Sequence, residues 1–114
     1  IILDNMSTDN TNEIINKLEK ILEERKNKEA CDSYVSGLYQ KGNKHICDKV
    51  LEEAKELIDA TDDCEKQIIH ESADLLFHVL VLLASHDIKY ATILEELTRR
   101  FGTSGIVEKN NRNK

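Results

Sequence analysis

The sequence predicts an all-α bundle of four or five helices that associates through its helices into a dimer or larger assembly. Three observations carry this expectation. The 114 residues include no proline and only four glycines, the two residue types that most readily interrupt a helix. Aromatic residues make up 4% of the chain against 33% charged residues, so strand formers are sparse. Apolar residues recur at helical rather than alternating spacing along most of the length. A chain this short forms one domain, and its large surface relative to its volume favours association.

The elements follow in order. Residues 1–9 read as a flexible leader, with Met6 as the natural start and the first five residues a leader or a remnant of a longer chain. Ile14, Ile15, Leu18, Ile21 and Leu22 give a helix over 10–27, with Asn10 as its cap and Glu13 three residues on. Its apolar stripe is narrow, so it covers a neighbour's surface. Residues 32–41 form a short helix ended by Gly42. The third helix follows Asn43 and spans 44–60, with Ile46, Val50, Ala54 and Leu57 on one face. The fourth runs from about Asp63 to Ser85, and the fifth from about Tyr90 to Phe101, closed by Gly102. The domain spans 10–109, and residues 110–114 are a polar, frayed tail. Residues 68–84 are apolar around most of the helix, which predicts a central helix buried on nearly all sides.

Composition narrows the function. A net charge of −6 disfavours nucleic acid as a partner, because phosphate contacts need a basic stripe. A polyanionic small molecule is still compatible, provided a divalent cation stands between it and the acidic chain. Cys31, Cys47 and Cys64 are odd in number and form no CxxC pair, which reads as reduced thiols in a cytoplasmic protein. The longest apolar run, Leu75 to Ala84, is broken by His78 and covers about half a membrane span. No signal-peptide pattern is present, so neither membrane nor export is expected.

The chemistry lies in residues 70–86, HESADLLFHVLVLLASH. On a wheel of about 100° per residue, Glu71, Asp74, His78 and Ser85 fall within a sector of roughly 60° on an otherwise apolar cylinder. On the preceding helix, Glu53 lies at the edge of the apolar face, Glu56 follows three residues on, and Glu52 sits on the polar flank. The Thr61–Cys64 turn is short, so the two helices pack antiparallel. Glu53 and Glu56 then face Glu71 and Asp74. Four ionised carboxylates in a poorly hydrated groove repel one another. A hard divalent cation relieves the conflict, and Mg²⁺ or Mn²⁺ would bridge carboxylates to substrate phosphates. His78 is a ligand, a partner behind the ligands, or a hydrogen-bonded core histidine, with the last two favoured. His45, His70 and His86 read as surface or interface groups. Di-iron carboxylate bundles use Glu-x-x-His pairs; no histidine here has a glutamate three residues before it.

The pattern EExxE, a gap, then ExxD resembles the MazG-like all-α nucleotide pyrophosphohydrolases. With its flanks it is similar to the phosphoribosyl-ATP pyrophosphohydrolases. The flanks are Ser33-Tyr34-Val35, Lys41-Gly42, Lys49-Val50-Leu51-Glu52-Glu53-Ala54-Lys55-Glu56, Glu71-Ser72-Ala73-Asp74-Leu75-Leu76-Phe77-His78, Arg99-Arg100, and Ser104-Gly105 with Glu108-Lys109. The resemblance runs from about Ser33 to Lys109. Leu51 stands where that family places a small residue, and Val107 where it places a glutamate. The resemblance implies Mg²⁺-dependent hydrolysis of phosphoribosyl-ATP to phosphoribosyl-AMP and pyrophosphate, the second step of histidine biosynthesis. It also implies a stand-alone enzyme acting as a homodimer or tetramer. Glu53, Glu56, Glu71 and Asp74 would then hold one or two Mg²⁺, with Glu52 as a further ligand or the base that orients the attacking water. Lys41, Lys49, Arg99, Arg100 and Lys109, with Ser33 and Ser104 as hydrogen-bond donors, would take the outer phosphates and the ribose 5-phosphate.

Two other classes compete. A house-cleaning dNTP pyrophosphatase would use the same scaffold with a different substrate. A non-catalytic helical adaptor would use the acidic stripe for docking, and would leave Glu53 and Asp74 without a counterion.

Overall fold

The structure is a computed structural model that describes residues 5–27 and 33–101. Five helices follow one another: α1 (Asn5–Arg25), α2 (Tyr34–Lys41), α3 (Asn43–Ala60), α4 (Glu65–Ser85) and α5 (Tyr90–Phe101). The described residues form only helices and turns, so the expected all-α bundle is what the chain adopts.

The helix boundaries follow from local chemistry. α1 begins at Asn5, which places Asn10 inside the helix and not at its cap. Extending an existing helix costs far less than starting one, and neither glycine nor proline stands between Asn5 and Ile14 to stop it. α2 starts at Tyr34 and not at 32, because Ser33 is extended and its hydroxyl caps the helix, accepting the Ser36 amide at 3.0 Å. The buried Ser36 hydroxyl in turn donates to the Arg25 carbonyl at 2.9 Å, tying α2 to the end of α1. Gly42 closes α2 and opens α3 at φ +95°, a conformation costly for any residue with a Cβ. Between α3 and α4 the Asp63 amide donates back to Ala60 at 2.9 Å. Asp63 therefore belongs to the turn, and α4 begins at Glu65.

The turn after α4 is held from α1. Lys26 Nζ meets Asp87 Oδ1 at 2.7 Å, and Asp87 sits at φ 59°. Glu19 accepts the Tyr90 amide at 2.6 Å, satisfying an otherwise open donor at the start of α5. The bond to Asp87 holds the Lys26 ammonium above its ordinary value and the carboxyl of Asp87 below its own.

The core gathers Ile15 and Leu22 of α1, Val35 and Leu38 of α2, Ile46 of α3, and Leu80 and Val81 of α4. The closest helix pair is α3 with α4. The expectation that α4 is buried on nearly all sides is corrected. Leu80, Val81, Glu71 and His78 are buried, but Ile69 and Leu76 are exposed, as are Leu51 and Ile58 on α3. α1 and α3 are the helices packed most closely on α4, and two neighbours cannot cover a cylinder that is apolar almost all round. α4 spans 21 residues with a mean hydropathy of 1.5 over its most apolar window, so by length and composition it could cross a bilayer. Core helices of compact domains share that composition, and α4 contributes two of the seven side chains of this core.

Candidate functional site

Packing α3 against α4 brings acidic side chains together because each helix places carboxylates on the face it buries. Glu53 shares its side of α3 with Ile46 and Ala60, and all three are buried. On α4, Glu71 and His78 are buried along the polar stripe. Carboxylate oxygens of Glu53, Glu56 and Glu71 lie within 4.8 Å of one another. Glu53 is 7% exposed, and its Oε2 has no hydrogen-bond partner among the described residues. Burial, and then the adjacent Glu56 carboxylate, push the Glu53 carboxyl above its ordinary value, while His78 and Lys49 pull it part of the way back. Lys49 Nζ stands 3.8 Å from Glu53 and 3.1 Å from Glu52.

The structure divides the four expected ligands. Asp74 lies on the stripe, but its Oδ2 stands 3.4 Å from His70 Nε2, and Glu71 Oε1 stands 4.0 Å from the same nitrogen. His70, Glu71 and Asp74 make a second triad whose donor atoms also lie within 4.8 Å. Glu71 is common to both. Glu52 belongs to neither triad and is exposed beside Lys49.

His78 backs this arrangement. A carbonyl can only accept, so the 2.8 Å contact of Nδ1 with the Asp74 carbonyl places the proton on Nδ1. In the neutral ring Nε2 then accepts from the Tyr34 hydroxyl at 2.8 Å. Tyr34 and Phe77 both pack edge-to-face on the imidazole. With both nitrogens used inside the protein, His78 orients α4 next to the carboxylates.

The basic residues are spread more widely. Ser33 and Lys41 line one cleft of about 290 Å³ together with Tyr34, Gly37, Leu38 and His45. The Ser33 hydroxyl is already engaged in capping α2. Arg99 and Arg100 close on Glu96 of their own helix, at 2.6 and 2.9 Å, and these bonds hold the Glu96 carboxyl down at about 2. Ser104 and Lys109 lie outside the described residues. A cleft of about 480 Å³ between α1 and α5 is lined by no member of either triad.

Reading the sequence assigned no role to Tyr34 and took His70 for a surface or interface group. Tyr34 carried no sequence signal of its own, since its partner lies 44 positions away. His70 did carry one: it precedes Asp74 by four residues, one helical turn, on the same face.

Three carboxylates, one of them buried with an unpartnered oxygen, form a donor set of hard oxygens that suits a divalent cation. Comparison with known proteins places the chain in an enzyme family. The family described as Phosphoribosyl-ATP pyrophosphohydrolase matches residues 15–101. A phosphoribosyl-ATP pyrophosphatase of Vesicomyosocius okutanii is 55% identical over 102 residues, covering 89% of this chain and 97% of that protein. Its namesake from Ruthia magnifica is 50% identical over 103 residues, covering 90% and 98%. A third, from Neisseria meningitidis, is 40% identical over 97 residues, covering 84% and 91%.

Proposed function

Because the chain belongs to the phosphoribosyl-ATP pyrophosphohydrolase family, an enzyme family of hydrolases, we propose that it performs the second step of histidine biosynthesis in the cytoplasm with Mg²⁺ as cofactor. The products are phosphoribosyl-AMP and pyrophosphate. The observation that carries the metal requirement is the gathering of Glu53, Glu56 and Glu71, with one buried glutamate oxygen left unpartnered.

In this reading Glu53, Glu56 and Glu71, with Asp74 beside Glu71, would hold one or two Mg²⁺, and Mn²⁺ would serve as well. When bound, the cation supplies Lewis acidity at the phosphoanhydride and lowers the pKa of a coordinated water. The chain's own residues do the rest. The buried Glu53 carboxylate, raised by burial and by Glu56, gains from a counterion, so the groove would recruit one together with an anionic substrate. Glu52, exposed on the flank beside Lys49, would be a further ligand or the base that orients the attacking water. Lys49 neutralises charge between Glu52 and Glu53, and on substrate arrival it can turn to a phosphate oxygen. Ser33 and Lys41 border the neighbouring cleft, where the far phosphate would rest.

The test is pyrophosphate release from phosphoribosyl-ATP, with and without Mg²⁺, with dNTPs in parallel. Metal-dependent release well above any dNTP is expected. Strong dNTP turnover instead would move the enzyme to house-cleaning pyrophosphatase chemistry, and no release at all would overturn the reading.

The exposed Ile69 and Leu76 of α4, with Leu51 and Ile58 of α3, support a homodimer or tetramer in which a second copy covers the bare apolar surface. Light scattering on the wild-type chain should give at least the dimer mass. Replacing both Ile69 and Leu76 with glutamate should lower it to that of the monomer. A monomeric wild type at micromolar concentration would remove this part of the proposal.

A further inference from the structure

Tyr34 joins the interior to the surface. Its hydroxyl reaches inward and donates to Nε2 of the buried His78 at 2.8 Å. The phenol ring and the imidazole meet edge-to-face, with centroids 5.8 Å apart at 84°. The residue nevertheless stays 56% exposed. A buried histidine nitrogen needs a hydrogen-bond partner, but a serine or a water could supply one, so that bond does not explain an aromatic ring open to solvent. What the bond and the edge contact do is fix the two torsions of a surface aromatic. A ligand that meets a ring already held in place has little further ordering to offset.

The surroundings of the ring indicate the ligand. On one side is the carboxylate groove. His78 Nδ1 is bonded to the Asp74 carbonyl at 2.8 Å. Lys49, whose ammonium is held above its ordinary value chiefly by Glu52 and in smaller part by Tyr34, stands 3.8 Å from Glu53. On the other side is the cleft of about 290 Å³, which Tyr34 lines together with Ser33, Lys41 and His45. Tyr34 and Lys41 are the first and last residues of α2, about 10 Å apart along a helix that rises 1.5 Å per residue. The order across this surface is therefore carboxylates, aromatic ring, basic cleft. Phosphoribosyl-ATP has its groups in the matching order: triphosphate, purine, and a second ribose carrying a phosphate. Cation-held carboxylates suit the first, and Lys41 suits the last. The purine is left for the ring between them, and aromatic side chains stack on bases through their faces.

We infer that Tyr34 determines specificity at this site: its ring is the platform on which the substrate's purine stacks, between the carboxylate groove and the Lys41 cleft, and its hydroxyl bond to His78 holds the platform in position. The inference rests on the phosphoribosyl-ATP reading above and adds to it the group that recognises the base.

The test compares wild type, Tyr34→Phe and Tyr34→Leu in the full chain, with folding checked by circular dichroism. Phenylalanine keeps the ring and loses the hydroxyl; leucine loses both. With Mg²⁺ present, Tyr34→Leu should raise the KM for phosphoribosyl-ATP at least about fivefold, the lower end of what one base–aromatic stack contributes, with kcat little changed. Tyr34→Phe should keep KM near that of the wild type while melting lower, because His78 Nε2 loses its partner. Calorimetric titration separates recognition of the base from the shape of the groove. Tyr34→Leu should bind phosphoribosyl-AMP more weakly by the same factor as its KM rises, and should bind pyrophosphate, which has no base, as the wild type does. Equal KM in wild type and Tyr34→Leu would overturn the platform. So would Tyr34→Phe matching Tyr34→Leu, which would assign the effect to the hydroxyl, or a parallel loss of pyrophosphate affinity, which would assign it to a distorted groove. A wild type that releases no pyrophosphate from phosphoribosyl-ATP would overturn the reading of the function, and this inference with it.

Discussion

Glu53→Gln is expected to abolish turnover and, at the same time, raise the melting temperature of the metal-free protein. The two effects share one cause. Glu53 is held at the α3–α4 interface with an oxygen that no group among the described residues satisfies, beside the like charge of Glu56. Without a cation, an ionised carboxylate there costs stability; with one, it becomes a ligand. Glutamine keeps the shape and removes the charge. Turnover should fall by on the order of 10²–10³-fold or more, the scale seen when a group that stabilises transition-state charge is removed. The metal-free variant should gain about 1 kcal/mol, the lower end of the cost of an uncompensated buried polar group, or about 4 °C in a domain of this size.

The pH dependence has a definite sign. Burial, and secondarily Glu56, raise the Glu53 carboxyl in the folded state above its ordinary value of 4.5. The folded chain therefore keeps a proton that the unfolded chain has released. The stability linked to this group is fully present below the ordinary value and is lost as pH rises through the raised one. Melting curves of wild type and Glu53→Gln should nearly coincide in mild acid and separate in favour of the variant towards neutrality. A variant that melts lower than the wild type at pH 7 without metal would contradict the strain. Normal turnover would take Glu53 out of the chemistry.

Leu80→Ala should have the largest effect on stability. Leu80 is 2% exposed and packs in the cluster with Ile15, Leu22, Val35, Leu38, Ile46 and Val81, which joins four helices. Removing most of a buried leucine costs about 2–5 kcal/mol, against a total of about 5–15 kcal/mol for a typical domain. Leu80 lies about half a turn of the wheel from Glu71, on the side of α4 away from the carboxylates. Turnover well below the melting transition should therefore survive, while the urea midpoint should fall sharply. A loss of activity equal to the loss of stability at low temperature would mean that core and site are not separable in this way.

Much of the architecture was legible from pattern alone. The period of Ile15, Leu18 and Leu22, the break at Gly42 and the short Thr61–Cys64 turn are local signals, and each marks a helix or its end near where it was expected. The start of α1 was not legible, because the stop signal that would hold it at Asn10 is only a weak preference, and an uninterrupted chain simply continued the helix. The burial of α4 was overestimated because hydropathy states what a helix can bury, not how many neighbours one chain supplies.

The same division holds for the site. Sequence by itself put Glu53 and Glu56 on one helix and Glu71 and Asp74 on the next, antiparallel to it, because helical period and a short turn fix their faces to within tens of degrees. It also carried the family resemblance in which these residues stand. Only the tertiary structure decided which carboxylates share an ion-sized space. Asp74 turns to His70, Glu52 turns to Lys49, and Glu71 stands between two groups. Tyr34 reaches His78 from α2, and Arg99 and Arg100 close on Glu96. Helix periodicity assigns a side chain to a face within some tens of degrees, whereas coordination depends on rotamers and partners within an ångström. Those are set by packing between elements far apart in the chain.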